Sequence, residues 1–297
     1  MGEPRYGSAL RLPKFMAGVS PSDEGLLIRS AIGGGFLRGA GCACAWGLSL
    51  VLGTAALAAQ ERFDRVVVDA GHGGDDQGAA GPAGLIEKDL VLDLARRLEG
   101  KLKQQGIAVV LTRSADEFVA LDDRTAAANA AGADLFVSIH ANASRVRSAR
   151  GVETFFASPE ATDAAAAELA RAENAAFGEG AAKLGAGDPV LAILGDLLAT
   201  QQLADSQEFA RIAQAQLAPR SGDRSRGVKQ APFVVLMGVR MPAVLVEVGF
   251  ITNPQDERAL RRGEGRERIA DGIARAITAF RARQDERLGA LSAGGSR

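Results

Sequence analysis

The chain has 297 residues and a formal net charge of −1, with 47% hydrophobic and 24% charged residues. That balance is ordinary for a globular protein, and no basic excess or long run of like charge calls for nucleic acid or a solvated tail. The one long apolar stretch lies near the N-terminus, which argues against a polytopic membrane protein.

That stretch runs from about Gly39 to Ala59, with Arg29 and Arg38 ahead of it. Its core, Trp46 to Leu52, is apolar, and Ala56-Leu57-Ala58 reads as a small-residue cleavage site. The layout predicts a secretory signal peptide, with residues 1–58 as N-terminal extension and signal. The alternative is a single membrane anchor, since the stretch approaches the ~20 residues a spanning helix needs. Met16 is a second candidate start. Both cysteines, Cys42 and Cys44, fall inside the segment, so cleavage near Ala58 would leave a chain without cysteine, suited to an oxidising compartment.

After the signal, Val66–Val68, Ile107–Leu111, Leu135–Ile139, Val152–Phe156, Phe233–Met237 and Ala243–Val248 are short apolar runs, the pattern of strands buried on both faces. Between the first two, Leu90, Leu94, Leu98 and Leu102 predict a helix from Glu87 to Gln104 that Gly106 closes. A second helix is expected from about Asp122 to Ala131 and a last one from about Gly265 to Arg283. Strands alternating with helices predict a single α/β domain over residues 59–283, with a twisted, mostly parallel sheet of about six strands flanked by helices. Residues 158–226 are too many for a simple crossover and predict a helical insertion, with Asp188-Pro189 opening an apolar-striped helix. Such helices either cover the core or regulate the site. The Gly/Ser/Ala/Arg-rich residues 284–297 read as a disordered tail.

The chain has two histidines. His72 lies in Asp69-Ala-Gly-His-Gly-Gly74, directly after a predicted strand, and His140 in Ser138-Ile-His-Ala-Asn142, at the end of another. In a parallel sheet both fall at the carboxyl edge, where open α/β sheets build their sites. Glu87 sits in the first turn of a helix, a place that suits any acid. It also shares the buried face of Leu90 and Leu94, where a carboxylate needs a partner. Glu247 interrupts the apolar run Ala243–Gly249, either as half of a buried salt bridge or as a catalytic base. Two histidines and a glutamate make the ligand set of a catalytic zinc site with an open fourth position.

These blocks, together with Glu87-Lys-Asp89, Leu111-Thr-Arg113, Arg226-Gly-Val-Lys229 and Val246-Glu-Val-Gly-Phe-Ile-Thr-Asn-Pro254, resemble those of the zinc-dependent N-acetylmuramoyl-L-alanine amidases (amidase type 3) from about Arg65 to Phe280. The resemblance implies one zinc ion on His72, Glu87 and His140, and Glu247 as catalytic glutamate. It implies hydrolysis of the amide joining N-acetylmuramic acid to L-alanine in peptidoglycan, for wall remodelling or daughter-cell separation. Asn142, Arg113 and Arg124 would shape the site, contact the anionic substrate, or make hydrogen bonds that support the fold. The insertion also resembles that of Gram-negative periplasmic division amidases, in which a helix blocks the zinc until a LytM-type domain draws it away. Glu173, or else Glu179, would then be the blocking carboxylate. A periplasmic or secreted monomer is expected. Two rivals stand beside this reading, a zinc peptidase or deacylase acting on another amide and a catalytically silent wall-binding regulator.

Overall fold

The computed structural model describes residues 63–175, 201–221 and 225–294. The chain divides into two units, Met1–Ala58 and Ala59–Arg297, and every described residue belongs to the second. The N-terminal apolar segment, Glu179 and the helical pattern Asp188–Thr200 lie outside the described residues. No described helix is long and apolar enough to cross a membrane.

In chain order the elements are β1 (Arg65–Ala70), α1 (Glu87–Gln104), β2 (Ala108–Leu111), α2 (Leu121–Ala131), β3 (Leu135–Asn142), β4 (Val152–Ala157) and α3 (Ala164–Asn174). There follow α4 (Gln201–Leu217), β5 (Ser225–Ala231), α5 (Val234–Met237), β6 (Ala243–Phe250), α6 (Pro254–Leu260) and α7 (Gly263–Gly294). The six strands form one sheet in the order β2-β1-β3-β6-β4-β5. All neighbours run parallel except β4 and β6, which are antiparallel.

Alternation along each strand sorts the side chains into two cores. Val66, Val68, Val244 and Val246 face α1, α4 and α7, meeting Leu94, Leu98, Phe209, Ile273 and Phe280. Val67, Phe136, Leu245 and Phe155 face the other way, meeting Ala128, Ala166, Phe233 and Leu236 of α2, α3 and the α5 region. The same period continues to the carboxyl edge of β1, β3 and β6, and there this second face turns polar. Asp69 follows Val67, Ser138 and His140 follow Phe136, and Glu247 follows Leu245. Glu153 precedes Phe155 on the antiparallel β4 and so lies at the same edge. A row of buried polar residues on four neighbouring strands is thereby set by strand period and register.

Two expectations are corrected. Phe233–Met237 is not a strand: after Phe233 the chain turns into the short helix α5, whose side chains fill the second core. The strand is Ser225–Ala231, partly exposed along most of its length. It lies at the sheet edge, so no continuous apolar run announces it. Residues 284–294 do not form an irregular tail, because α7 continues to Gly294; residues 295–297 lie outside the described residues. Arg283 and Arg287 bind Glu208 and Asp205 of α4 there, giving the extension partners that composition alone does not reveal. Helix α4, part of the segment read as an insertion, is a covering helix: Phe209, Ala210, Ala213 and Leu217 are buried in the first core.

Candidate metal and catalytic site

His72 stands two residues beyond β1 with φ 58°, the only non-glycine residue at positive φ among the described residues. Such a backbone costs roughly 1–3 kcal/mol and persists only where its surroundings over-determine it. Two buried arginines do so. Arg124 donates to the carbonyls of Ala70 and His72 and to Asp69 Oδ1. Arg113 donates to the carbonyls of Ala70, Gly71 and Lys88. Both guanidinium groups are thus committed to backbone carbonyls of the histidine loop.

His72 Nδ1 lies 2.9 Å from Asp76 Oδ2, a contact that in the neutral ring favours the proton on Nδ1 and the lone pair on Nε2. That Nε2 lies 3.1 Å from Glu87 Oε1 and 3.5 Å from Glu173 Oε2. His140 Nδ1 lies 3.2 Å from the same Glu87 oxygen and 3.0 Å from the same Glu173 oxygen. Glu87 is oriented by the amides of Ala79 and Ala141, which donate to Oε2 and Oε1. Glu173, the penultimate residue of α3, reaches in from the opposite side. Asn174 anchors that end of the helix, bridging the carbonyl of Pro232 and the amide of Val234.

Both imidazole nitrogens thus lie near one oxygen of Glu87 and one of Glu173, and His72, His140 and Glu173 bring donor atoms within 4.8 Å of one another, a group that could hold a metal ion. Tetrahedral zinc with bonds of about 2.0–2.2 Å would hold neighbouring donors about 3.3–3.5 Å apart. The four separations above, 3.0 to 3.5 Å, bracket that spacing. The residues fit a zinc ion. Burial opposes charge on His72, yet the bonds to Asp76 and Glu87 outweigh it and lift its pKa to about 9. Burial likewise opposes charge on His140, and Glu173 and Glu87 raise it well above its ordinary value. Burial would push the Glu87 carboxyl up, but the two imidazoles hold it below the usual range.

Glu247 lies beside this cluster, in register with His140 on one side and Glu153 on the other. It is fully buried, and neither carboxylate oxygen has a hydrogen-bond partner. Burial pushes its carboxyl well above the usual range; His140 opposes the rise, and Glu173, Glu87 and Glu153 add to it. Among the described residues no arginine pairs with it, so the salt-bridge reading finds no partner there.

Asn142 does not touch the imidazoles; it donates to Glu153 Oε1 at 2.8 Å. Glu153, Asp76 and Lys229 escape the sequence reading. Glu153 carries the same signal as Glu247, a lone acid in an apolar strand. Asp76 sits in a glycine-rich loop where no spacing marks it.

Gly71 packs against the His140 imidazole, and a methyl group there would collide with the ring. Gly71→Ala is expected to displace His140 and weaken zinc binding by at least tenfold, about the effect of losing one metal-orienting contact. Competition with a chromogenic chelator measures it; unaltered affinity would mean the ring shifts freely.

An α/β sheet that gathers two imidazoles and a buried, unpaired carboxylate on its carboxyl edge defines a hydrolytic enzyme. The chain belongs to the N-acetylmuramoyl-L-alanine amidase family, whose pattern it matches over residues 66–279. It is 39% identical over 217 residues to N-acetylmuramoyl-L-alanine amidase AmiA of Escherichia coli K12, covering 72% of this chain and 75% of that one. Among solved structures it is similar to the catalytic domain of CwlV, an N-acetylmuramoyl-L-alanine amidase from Bacillus (Paenibacillus) polymyxa, at 32% identity and TM-score 0.56, covering 73% and 97% of the two chains. An N-acetylmuramoyl-L-alanine amidase from Clostridium difficile 630 aligns at 30% identity with the same TM-score, covering 73% and 96%.

Proposed function

We propose that this protein hydrolyses the amide between N-acetylmuramic acid and L-alanine in peptidoglycan, with one zinc ion held by His72, Glu87 and His140. The observation that carries this reading is the convergence of both imidazoles on Glu87 Oε1, at 3.1 and 3.2 Å, beside the unpaired carboxylate of Glu247. Bound zinc would supply Lewis acidity, lowering the pKa of water toward about 7 and polarising a carbonyl. Glu247 accepts the proton of the attacking water and delivers it to the amine nitrogen as the carbon–nitrogen bond breaks. Asp76 keeps His72 in the tautomer that presents Nε2. Residues 1–58 direct export and are removed near Ala58.

Glu173 fills the fourth position of the same cluster, so α3 excludes substrate as it stands. Its distances to His140 and His72, 3.0 and 3.5 Å, support the reading of the insertion as autoinhibitory. An activator, a LytM-type domain by the resemblance, would lift α3 away. A charged hydrogen bond is worth about 1.5–3 kcal/mol, so Glu173→Ala is expected to raise the basal rate roughly 10–100-fold. A folded variant with an unchanged or lower rate would count against autoinhibition.

The deciding experiment measures release of intact stem peptides from purified peptidoglycan by zinc-loaded and chelated protein, with and without Glu173→Ala. Zinc-dependent release is expected. If muramoyl amides stay intact while simple acyl amino acids are cleaved by the zinc-loaded protein, the peptidase or deacylase reading replaces this one.

A further inference from the structure

Helix α3 carries a carboxylate at each end, and both are engaged. At its C-terminal end Glu173 faces the two imidazoles. At its N-cap, Asp163 Oδ1 accepts the amide of Ala166, and Oδ2 lies 3.1 Å from Lys229 Nζ. Ten residues of helix separate the two acids by about 15 Å. A groove of about 760 Å³ runs along the helix, with His72 and Glu87 at one end, Lys229 and Arg226 at the other, and Ala165 and Leu169 in its wall.

Lys229 is only 11% exposed, although it lines this groove. Its other partner is Glu153 Oε2 at 2.9 Å, and the same oxygen lies 3.3 Å from Arg226 Nε. The Arg226 guanidinium is held in place over the Phe250 ring, 4.9 Å from its centre. Glu153 thus balances one of the two cations. Asp163, with a side chain 45% exposed, balances the other. If α3 were lifted, Lys229 and Arg226 would share the single carboxylate of Glu153, and the net positive charge left facing the groove would favour an anion from the ligand.

We infer that Lys229, backed by Arg226, is the carboxylate-binding residue of a peptide subsite in this groove, and that Asp163 occupies it with a carboxylate of the chain's own. The direction of the ligand rests on the amidase reading, which puts the scissile amide at the imidazoles. Extended peptide covers about 3.3–3.6 Å per residue, so about four residues bridge the distance to Lys229. The ligand is therefore a stem peptide with a free carboxylate about four residues beyond the amide. Helix α3 would compete with it at both ends, Glu173 at the reacting centre and Asp163 at the carboxylate pocket.

Calorimetric titration of the zinc-loaded protein tests this, in a Glu247→Gln background to prevent turnover. The probes are a muramoyl tetrapeptide with a free terminal carboxylate and the same compound amidated there. Asp163→Asn removes the competing charge yet still caps the helix, since asparagine caps as well as aspartate. It is expected to bind the free-acid probe about tenfold tighter than the protein with Asp163, with no gain for the amidated probe. Lys229→Gln, added to Asp163→Asn, is expected to erase the preference between probes without lowering affinity for the amidated one. Equal or absent binding of the two probes by Asp163→Asn overturns the assignment, as does a preference that survives Lys229→Gln. Hydrolysis is followed separately with Glu247 intact. A carboxylate preference without any hydrolysis would sink the amidase reading and leave the carboxylate site standing.

Discussion

Glu247→Gln is expected to lower the hydrolytic rate by roughly 10²–10⁴, the usual contribution of a positioned general base, while Glu247→Met should abolish activity and also make the protein harder to unfold. The two effects share one cause. Glu247 is fully buried in the middle of β6, and neither oxygen has a hydrogen-bond partner. A buried, unsatisfied polar group costs about 1–3 kcal/mol. On the proposed function, this buried carboxylate beside the cluster is the group that serves as general base. Methionine has a similar volume and no such requirement, so Glu247→Met should gain about 1–3 kcal/mol. For a domain of this size that is a rise of several degrees in the melting midpoint. Thermal melts in the presence of a chelator isolate this effect from zinc binding. A less stable Glu247→Met would mean that the carboxylate has a structural partner, and a near-normal rate for Glu247→Gln would end its assignment as the base.

Arg124→Met should be severe in a different way. The side chain is 2% exposed and bonds to Asp69 and to the carbonyls of Val119, Ala70 and His72. Removing one member of a buried ion pair leaves its partner uncompensated and costs about 3–5 kcal/mol. Burial alone would raise the Asp69 carboxyl; the Arg124 guanidinium and the hydroxyls of Thr112 and Ser138 outweigh it and hold it below the usual range. A lowered carboxyl pKa stabilises the fold fully above the unfolded value of about 3.9, and the stabilisation drains away as pH falls through the lowered folded value. Arg124→Met should therefore lose most stability near neutral pH and converge on the unsubstituted protein in acid. It should also release the positive-φ turn at His72 and weaken zinc binding about 10–100-fold, as loss of an outer-layer contact typically does. Denaturant titrations at two pH values and a chelator competition read the two effects independently. Stability loss with intact zinc affinity would show that the loop keeps its shape without this arginine.

Glu257 holds the following loop in a comparable way, accepting the amides of Ala83 and Leu85. The first part of the site is thus fixed by buried side chains that lie far away in sequence as well as by the loop's own glycines.

Whatever depends on short-range period was legible in the amino-acid order alone. Leucines four residues apart placed α1 at Glu87–Gln104, with Glu87 on its buried face. Continuous apolar runs placed β1, β3, β4 and β6, and the two histidines fell at the ends of two of them. Glu247 stood out because one acid in an apolar strand has no local reason to be there. The tertiary structure decided what depends on register and on partners distant in the chain. Only strand register sets His140, Glu247 and Glu153 in one row. Only packing shows that Arg113 and Arg124 grip backbone carbonyls, that β5 is a half-exposed edge strand, and that α7 extends to Gly294 against α4. Periodicity reports which face of an element is buried, because burial follows the element's own geometry. It does not report which charged groups meet there, because that is settled by side chains tens or hundreds of residues apart, each needing a partner once water is gone.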